Sequence, residues 1–131
     1  MISALKSYDH YTRRLPELQP ETWHAFVTAH QQSHLLSSDL TLTRNHAFIS
    51  QKDVARLRGQ PRPLHEAIEA VYPGAHAYMI LSAIGYNPAA EQGLVYIAYT
   101  CGGECGTGEL YLLSKKSGTW SVIGVVRLWT S

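Results

Sequence analysis

The period of the apolar positions changes part-way along the chain. Between residues 20 and 35, Trp23, Phe26, Val27, His30 and His34 recur at i, i+3, i+4, i+7 and i+11, one face of an α-helix. Gln19-Pro20-Glu21 marks its start, because proline costs nothing at the first helical position and an acid suits the first turn. Ser37, Ser38 and Asp39 end it. Ser50-Gln51-Lys52-Asp53 has capping-box form ahead of Val54 and Leu57, which predicts a second, short helix. Leu64, Ala67, Ile68 and Val71 predict a third, stopped by Pro73-Gly74. The stretch up to Leu18 mixes Tyr8, Tyr11, Arg13, Arg14 and Leu15 without a firm period and reads as an irregular or short helical lead-in. Residues 40–49, with Leu40, Leu42, Phe48 and Ile49, read as a short strand.

After Gly74 the texture becomes strand-like. Residues 76–84 are apolar and end at the turn-forming group Gly85-Tyr86-Asn87-Pro88. Residues 94–100, 109–114 and 120–129 follow, rich in β-branched and aromatic side chains and joined by short glycine-containing connections. Helices first and strands after predict an α+β fold rather than a parallel βαβ one. The expected architecture is one domain, residues 1–131. N-terminal helices (up to 74) pack on a curved, antiparallel β-meander of four strands or slightly more (from 75).

These strands are apolar on both faces: Leu94, Tyr96 and Ala98 alternate with Val95, Ile97 and Tyr99. A sheet with one wet face alternates more cleanly. The second face is therefore expected to be covered by the helices, by curvature or by another subunit. Trp120 and Trp129 differ by nine positions and so point to opposite faces, one into the core and the other over the far face or at an interface.

Composition narrows the class. With 131 residues, 45% hydrophobic and 16% charged, the chain suits one packed domain. A net charge of +1 gives no global attraction to nucleic acid or an anionic membrane. No apolar run approaches the ~18 residues of a membrane span. Met1-Ile2-Ser3-Ala4-Leu5-Lys6 lacks the basic and apolar regions of a signal peptide. The compartment is thus read as cytoplasmic, or as periplasmic or exported if a leader was removed.

Cys101 and Cys105 bracket Gly102-Gly103-Glu104 between two predicted strands, where opposed residues come within disulfide reach. So short a ring would contribute only about 2 kcal/mol, rigidifying a loop. Two buried thiols, a rigid binding loop and redox or metal chemistry are the other readings. The spacing is neither a thioredoxin-type pair nor half of a clear zinc ribbon. Gly106-Thr107-Gly108 leads into a strand and lacks the Gly-Lys-Ser/Thr of a phosphate loop. Glycine here suits positive φ or a bulge in a tight hairpin.

His30 and His34 have the i, i+4 spacing of two metal ligands on one helix, but Gln31 stands where zincins need glutamate. A third ligand would come from His24, His46, Asp39 or Cys105. The alternative is two histidines flanking an apolar stripe. Lys52, Arg56, Arg58 and Arg62 lack interleaved aromatics, so they read as a solvated face and no nucleic-acid partner is expected. Asn45, His46, Tyr86 and Asn87 are the polar groups that suit lining a ligand cleft. There is no Gly-x-Ser-x-Gly elbow.

Across the last 60 or so residues, several pieces form a string. They are Tyr72-Pro73-Gly74, Leu81-Ser82 with Gly85-Tyr86-Asn87, Leu94-Val95-Tyr96, Cys101-Gly102, Cys105-Gly106-Thr107-Gly108, Gly118-Thr119-Trp120 and Trp129-Thr130-Ser131. The string resembles the chain end of a group of uncharacterised bacterial domains; Tyr86 stands where that group often has phenylalanine. The resemblance implies a shared sheet. Many members look exported or lipid-anchored, which fits a Cys101–Cys105 disulfide. It implies no activity. The reading that results is a small non-enzymatic binding or interaction module, using the sheet face and the 101–108 hairpin. It has no cofactor, an unidentified small molecule or protein as partner, and the option of a homodimer. The alternative is a small metal-binding or redox protein using His30, His34 or the cysteines.

Overall fold

A computed structural model describes residues 5–30, 47–102 and 105–131. Helices α1 (Tyr8–Thr12), α2 (Pro20–His30), α3 (Gln51–Arg58) and α4 (Leu64–Val71) precede strands β1 (Tyr78–Leu81), β2 (Gly85–Tyr86), β3 (Gln92–Gly102), β4 (Cys105–Lys116) and β5 (Thr119–Thr130). The expected α+β arrangement, helices then an antiparallel sheet, is what forms. The strand expected at 40–49 falls largely outside the described residues; residues 47–50 carry no regular structure.

The sheet runs β1-β3-β4-β5, with β2 also paired to β3. β1 and β2 are two halves of one edge strand. Leu81 pairs with Ile97 and Gly85 with Leu94, so four steps along the edge answer three along β3. The slip centres on Ser82. Its N–H donates to the Tyr96 carbonyl at 2.9 Å, and its Oγ accepts from the Tyr96 N–H at 2.8 Å. A side-chain oxygen thus replaces a ladder carbonyl, which is why the apolar run 76–84 stops pairing early. β5, the opposite edge, carries two more register slips, one near Leu128 and one near Ile123. Slips of this kind bend and twist a strand.

One face of the sheet meets the helices. Leu94, Tyr96, Ala98, Leu110, Leu112 and Val126 are buried against Tyr11, Leu15, Leu18 and Phe26. Register places Leu94 beside Leu112, and Leu110 between Tyr96 and Val126. The lead-in is therefore core. Its helix stops at Thr12 because Leu15 precedes a proline, which disfavours helical backbone there. The Tyr8 hydroxyl donates to the Leu18 carbonyl at 2.7 Å and holds the next turn.

Helix α2 crosses the edge strand at Gly85. A Cβ at that position would overlap the Phe26 backbone and lie 2.7 Å from Phe26 Cβ.

A second cluster, Leu57, Leu64, Ala67 and Ile68, joins α3 to α4, with Ile49, Tyr72, Ala75 and Tyr78 against it. Ser50 caps α3 by accepting from Asp53 N at 3.1 Å, as its sequence predicts. Val71, expected on the apolar face of α4, is instead exposed at the helix end.

Candidate functional site

The other face of the sheet can be followed row by row from the strand register. One row is Tyr86, Gly93, Leu113 and Val122; the next is Val95, Tyr111 and Val125. Then come Leu81, Ile97, Glu109 and Arg127, and last Met79, Tyr99, Thr107 and Thr130. Beyond the first row Lys115 pairs with Trp120, whose ring lies 5.7 Å from that of Tyr86. Met79, Tyr86, Tyr99, Trp120, Val122 and Val125 are all exposed. The helical contacts described above lie on the opposite face. So among the described residues no helix packs along this one, although Val95 at its middle is itself buried.

Trp120 stands on this face and Trp129 on the helix-covered one, as the odd spacing predicts. The two slips in β5 between them cancel. Neither indole is fully buried: Trp120 is 37% exposed and Trp129 38%. The expectation of one core tryptophan is thus met only in direction.

One polar group interrupts the apolar rows. Tyr111 Oη donates to Glu109 Oε2 at 2.7 Å, and Arg127 Nε donates to Oε1 at 3.2 Å. The Tyr111 hydrogen bond, followed by the Arg127 guanidinium, holds the Glu109 carboxyl below its ordinary value against partial desolvation. The same bond pushes the Tyr111 phenol up. A carboxyl whose folded pKa is depressed stabilises the fold above its unfolded pKa, and that stabilisation is lost as pH falls through the folded value. Carbon-detected NMR titration should therefore find Glu109 ionising below the ordinary glutamate range. Tyr111→Phe should move it up and flatten the acid side of the stability profile. An unchanged Glu109 titration in that variant would remove Tyr111 as the cause.

At one end of the sheet the glycine-rich hairpin is mostly strand. Gly102 pairs with Cys105, so β3 and β4 run through residues that the sequence assigns to a loop. The Cys101 and Cys105 Cα atoms are 5.4 Å apart, inside the span of a disulfide. Gly108 gives room to the Trp129 indole N–H, which donates to Tyr96 Oη at 2.7 Å; a Cβ on Gly108 would sit 2.5 Å from that oxygen. Ser131 N closes the chain end on the Gly106 carbonyl at 3.1 Å.

The four residues proposed from sequence to orient a ligand do not form one described cluster. Asn45 and His46 lie outside the described residues, as do His34 and the side chain of His30. Among the described residues no three His, Cys, Asp or Glu side chains gather as a metal site. Tyr86 lines a shallow, open cleft of about 500 Å³ with Pro20, Glu21, His24, Ala25 and Pro88.

Asn87, next to Tyr86, is buried and engaged within the protein. Its Oδ1 accepts from Glu91 N at 2.8 Å and Gln92 N at 3.0 Å, and its Nδ2 donates to Gln19 Oε1 at 2.9 Å. Gln92 completes the network, accepting from Gln19 N and donating to the Glu17 carbonyl.

No family model, curated protein or solved structure matches this chain. The site is therefore read from its own residues, and what they offer is a surface with apolar side chains turned outward.

Proposed function

We propose that this protein is a non-enzymatic interaction module that engages a partner through the open face of its sheet. The 101–108 hairpin, closed by a Cys101–Cys105 disulfide, stiffens one end of that face. The observation that carries this reading is the set of exposed apolar side chains on one face, Trp120, Tyr86, Val122 and Val125 towards one end and Tyr99 and Met79 towards the other, with half-buried Leu81 and Ile97 between them. Scattered exposed apolar residues are ordinary, whereas a contiguous patch marks an interaction surface. The polar group within the rows fits the same reading, because Glu109 accepts from both Tyr111 and Arg127 and the three are engaged with one another.

The test is stability in dilute solution, followed by tryptophan fluorescence. If the face is open in the single chain, Val122→Lys with Val125→Lys should change the unfolding free energy by no more than about 0.5 kcal/mol, as surface substitutions do. A loss of about 2 kcal/mol or more would show that the face is internal core and end the reading. The same preparation, denatured without reductant, should weigh two hydrogens less than the reduced chain. Equal masses would remove the disulfide.

A further inference from the structure

Resting on that reading, we infer that the partner on the open sheet face is a second copy of this chain, the two sheets packing face to face about a two-fold axis. Such a contact is isologous: each patch meets itself, so its charges must not add.

This face meets that condition. Its first two rows are apolar apart from the Tyr111 hydroxyl, and its one acid, Glu109, in the third row, is paired at 3.2 Å with a base on the neighbouring strand, Arg127. The face thus presents no unpaired charge of one sign at its middle. The chain's net charge of +1 adds little long-range repulsion between copies.

Its size also fits. Four strands at ~4.8 Å and some ten residues at ~3.3 Å give roughly 600 Å² in projection, and upright side chains add to the accessible area. A standard interface takes ~800 Å² from each partner. Face-to-face packing of sheets about 10 Å apart is also an established way to bury apolar rows from both. The aromatic pair Tyr86 and Trp120 at one end, with Tyr99 and Met79 at the other, supplies the side chains that dominate such contacts.

The experiment is sedimentation velocity of the full chain from about 1 to 200 μM, a range that spans typical weak-dimer affinities. It is combined with hydroxyl-radical footprinting of Met79, Tyr86 and Trp120. The expected species has twice the 14.6 kDa chain mass, with those three residues protected. Val125→Glu, at a side chain 44% exposed in one copy, should weaken association about 100-fold or more and restore their reactivity. Val71→Glu, 55% exposed and away from the face, should leave the dimer intact.

Three results overturn the proposal, and they separate it from the reading beneath it. A dimer that survives both Val125→Glu and Val122→Glu forms through another surface. A monomer with all three residues reactive has an open face whose partner is a different protein, so the interaction module stands and the second copy falls. A monomer with the three protected has its face closed within one chain, and both ideas fall together.

Discussion

Gly85→Ala should cost the fold about 3 kcal/mol or more, at the upper end of what overpacking does. The reason lies in what the new methyl would meet. At most positions a side chain can swing aside, but here the obstacle is the backbone of α2 at Phe26, whose side chain is fully buried. Relief requires the helix to lift from the edge strand, which would open the cluster of Leu15, Phe26, Leu94 and Leu112. Gly59→Ala provides the contrast. Gly59 has ordinary helical φ of −78° and its added Cβ would meet nothing nearer than 3.5 Å. That substitution should be neutral, or stabilise by up to about 1 kcal/mol through the unfolded chain. Urea unfolding of the two variants side by side tests the claim. If Gly85→Ala loses less than about 1 kcal/mol, α2 is not locked onto the edge strand by that contact.

The elements that were legible in the sequence are those whose signals are local. Pro20 at the start of α2, the Ser50 cap of α3 and the spacing of Leu64, Ala67 and Ile68 in α4 all act within one or two turns. The strands were legible for the same reason, their β-branched and aromatic runs being bounded by glycine. The lead-in was legible as a short helix running into irregular backbone, but not as core. Tyr11, Leu15 and Leu18 do stand at i, i+4 and i+7, a helical stripe, but α1 stops at Thr12 and the three still converge on the sheet. Tertiary contact there outlasts the helix that would have announced it. The edge-strand slip escaped too, since nothing in the apolar run at 76–84 shows that Ser82 will offer its hydroxyl to the Tyr96 N–H.

The candidate site divides along the same line. That the strands were apolar on both faces could be read directly, and it pointed to something covering the second face. Whether the helices supply that cover could not, because helix placement depends on Gly85 and on the lead-in. The residues of the string between 72 and 131 illustrate a related point. Ser82 takes a ladder position, Gly85 admits α2, Asn87 holds a turn and Gly108 seats the Trp129–Tyr96 bond. Each has work in the fold. A string of this kind is a signature of shape, and it need carry no chemistry.

Asn87 makes that distinction measurable. A polar residue in a turn beside an aromatic one suits a ligand cleft, but its carbonyl oxygen already holds the Glu91 and Gln92 N–H groups and its amide holds Gln19. Asn87→Ala should therefore cost about 3 kcal/mol. It removes several hydrogen bonds at once and strands the buried Gln92 N–H, each such loss being worth about 1 kcal/mol or more. Asn87→Asp keeps the two acceptor bonds and loses only the donation to Gln19, whose amide can turn to present its own N–H. Its cost should be nearer 1 kcal/mol. The order matters more than either value, because a solvent-facing ligand residue would tolerate both changes equally. If both variants unfold within about 0.5 kcal/mol of the parent, the network does not hold the turn and Asn87 returns as a residue free to meet a ligand.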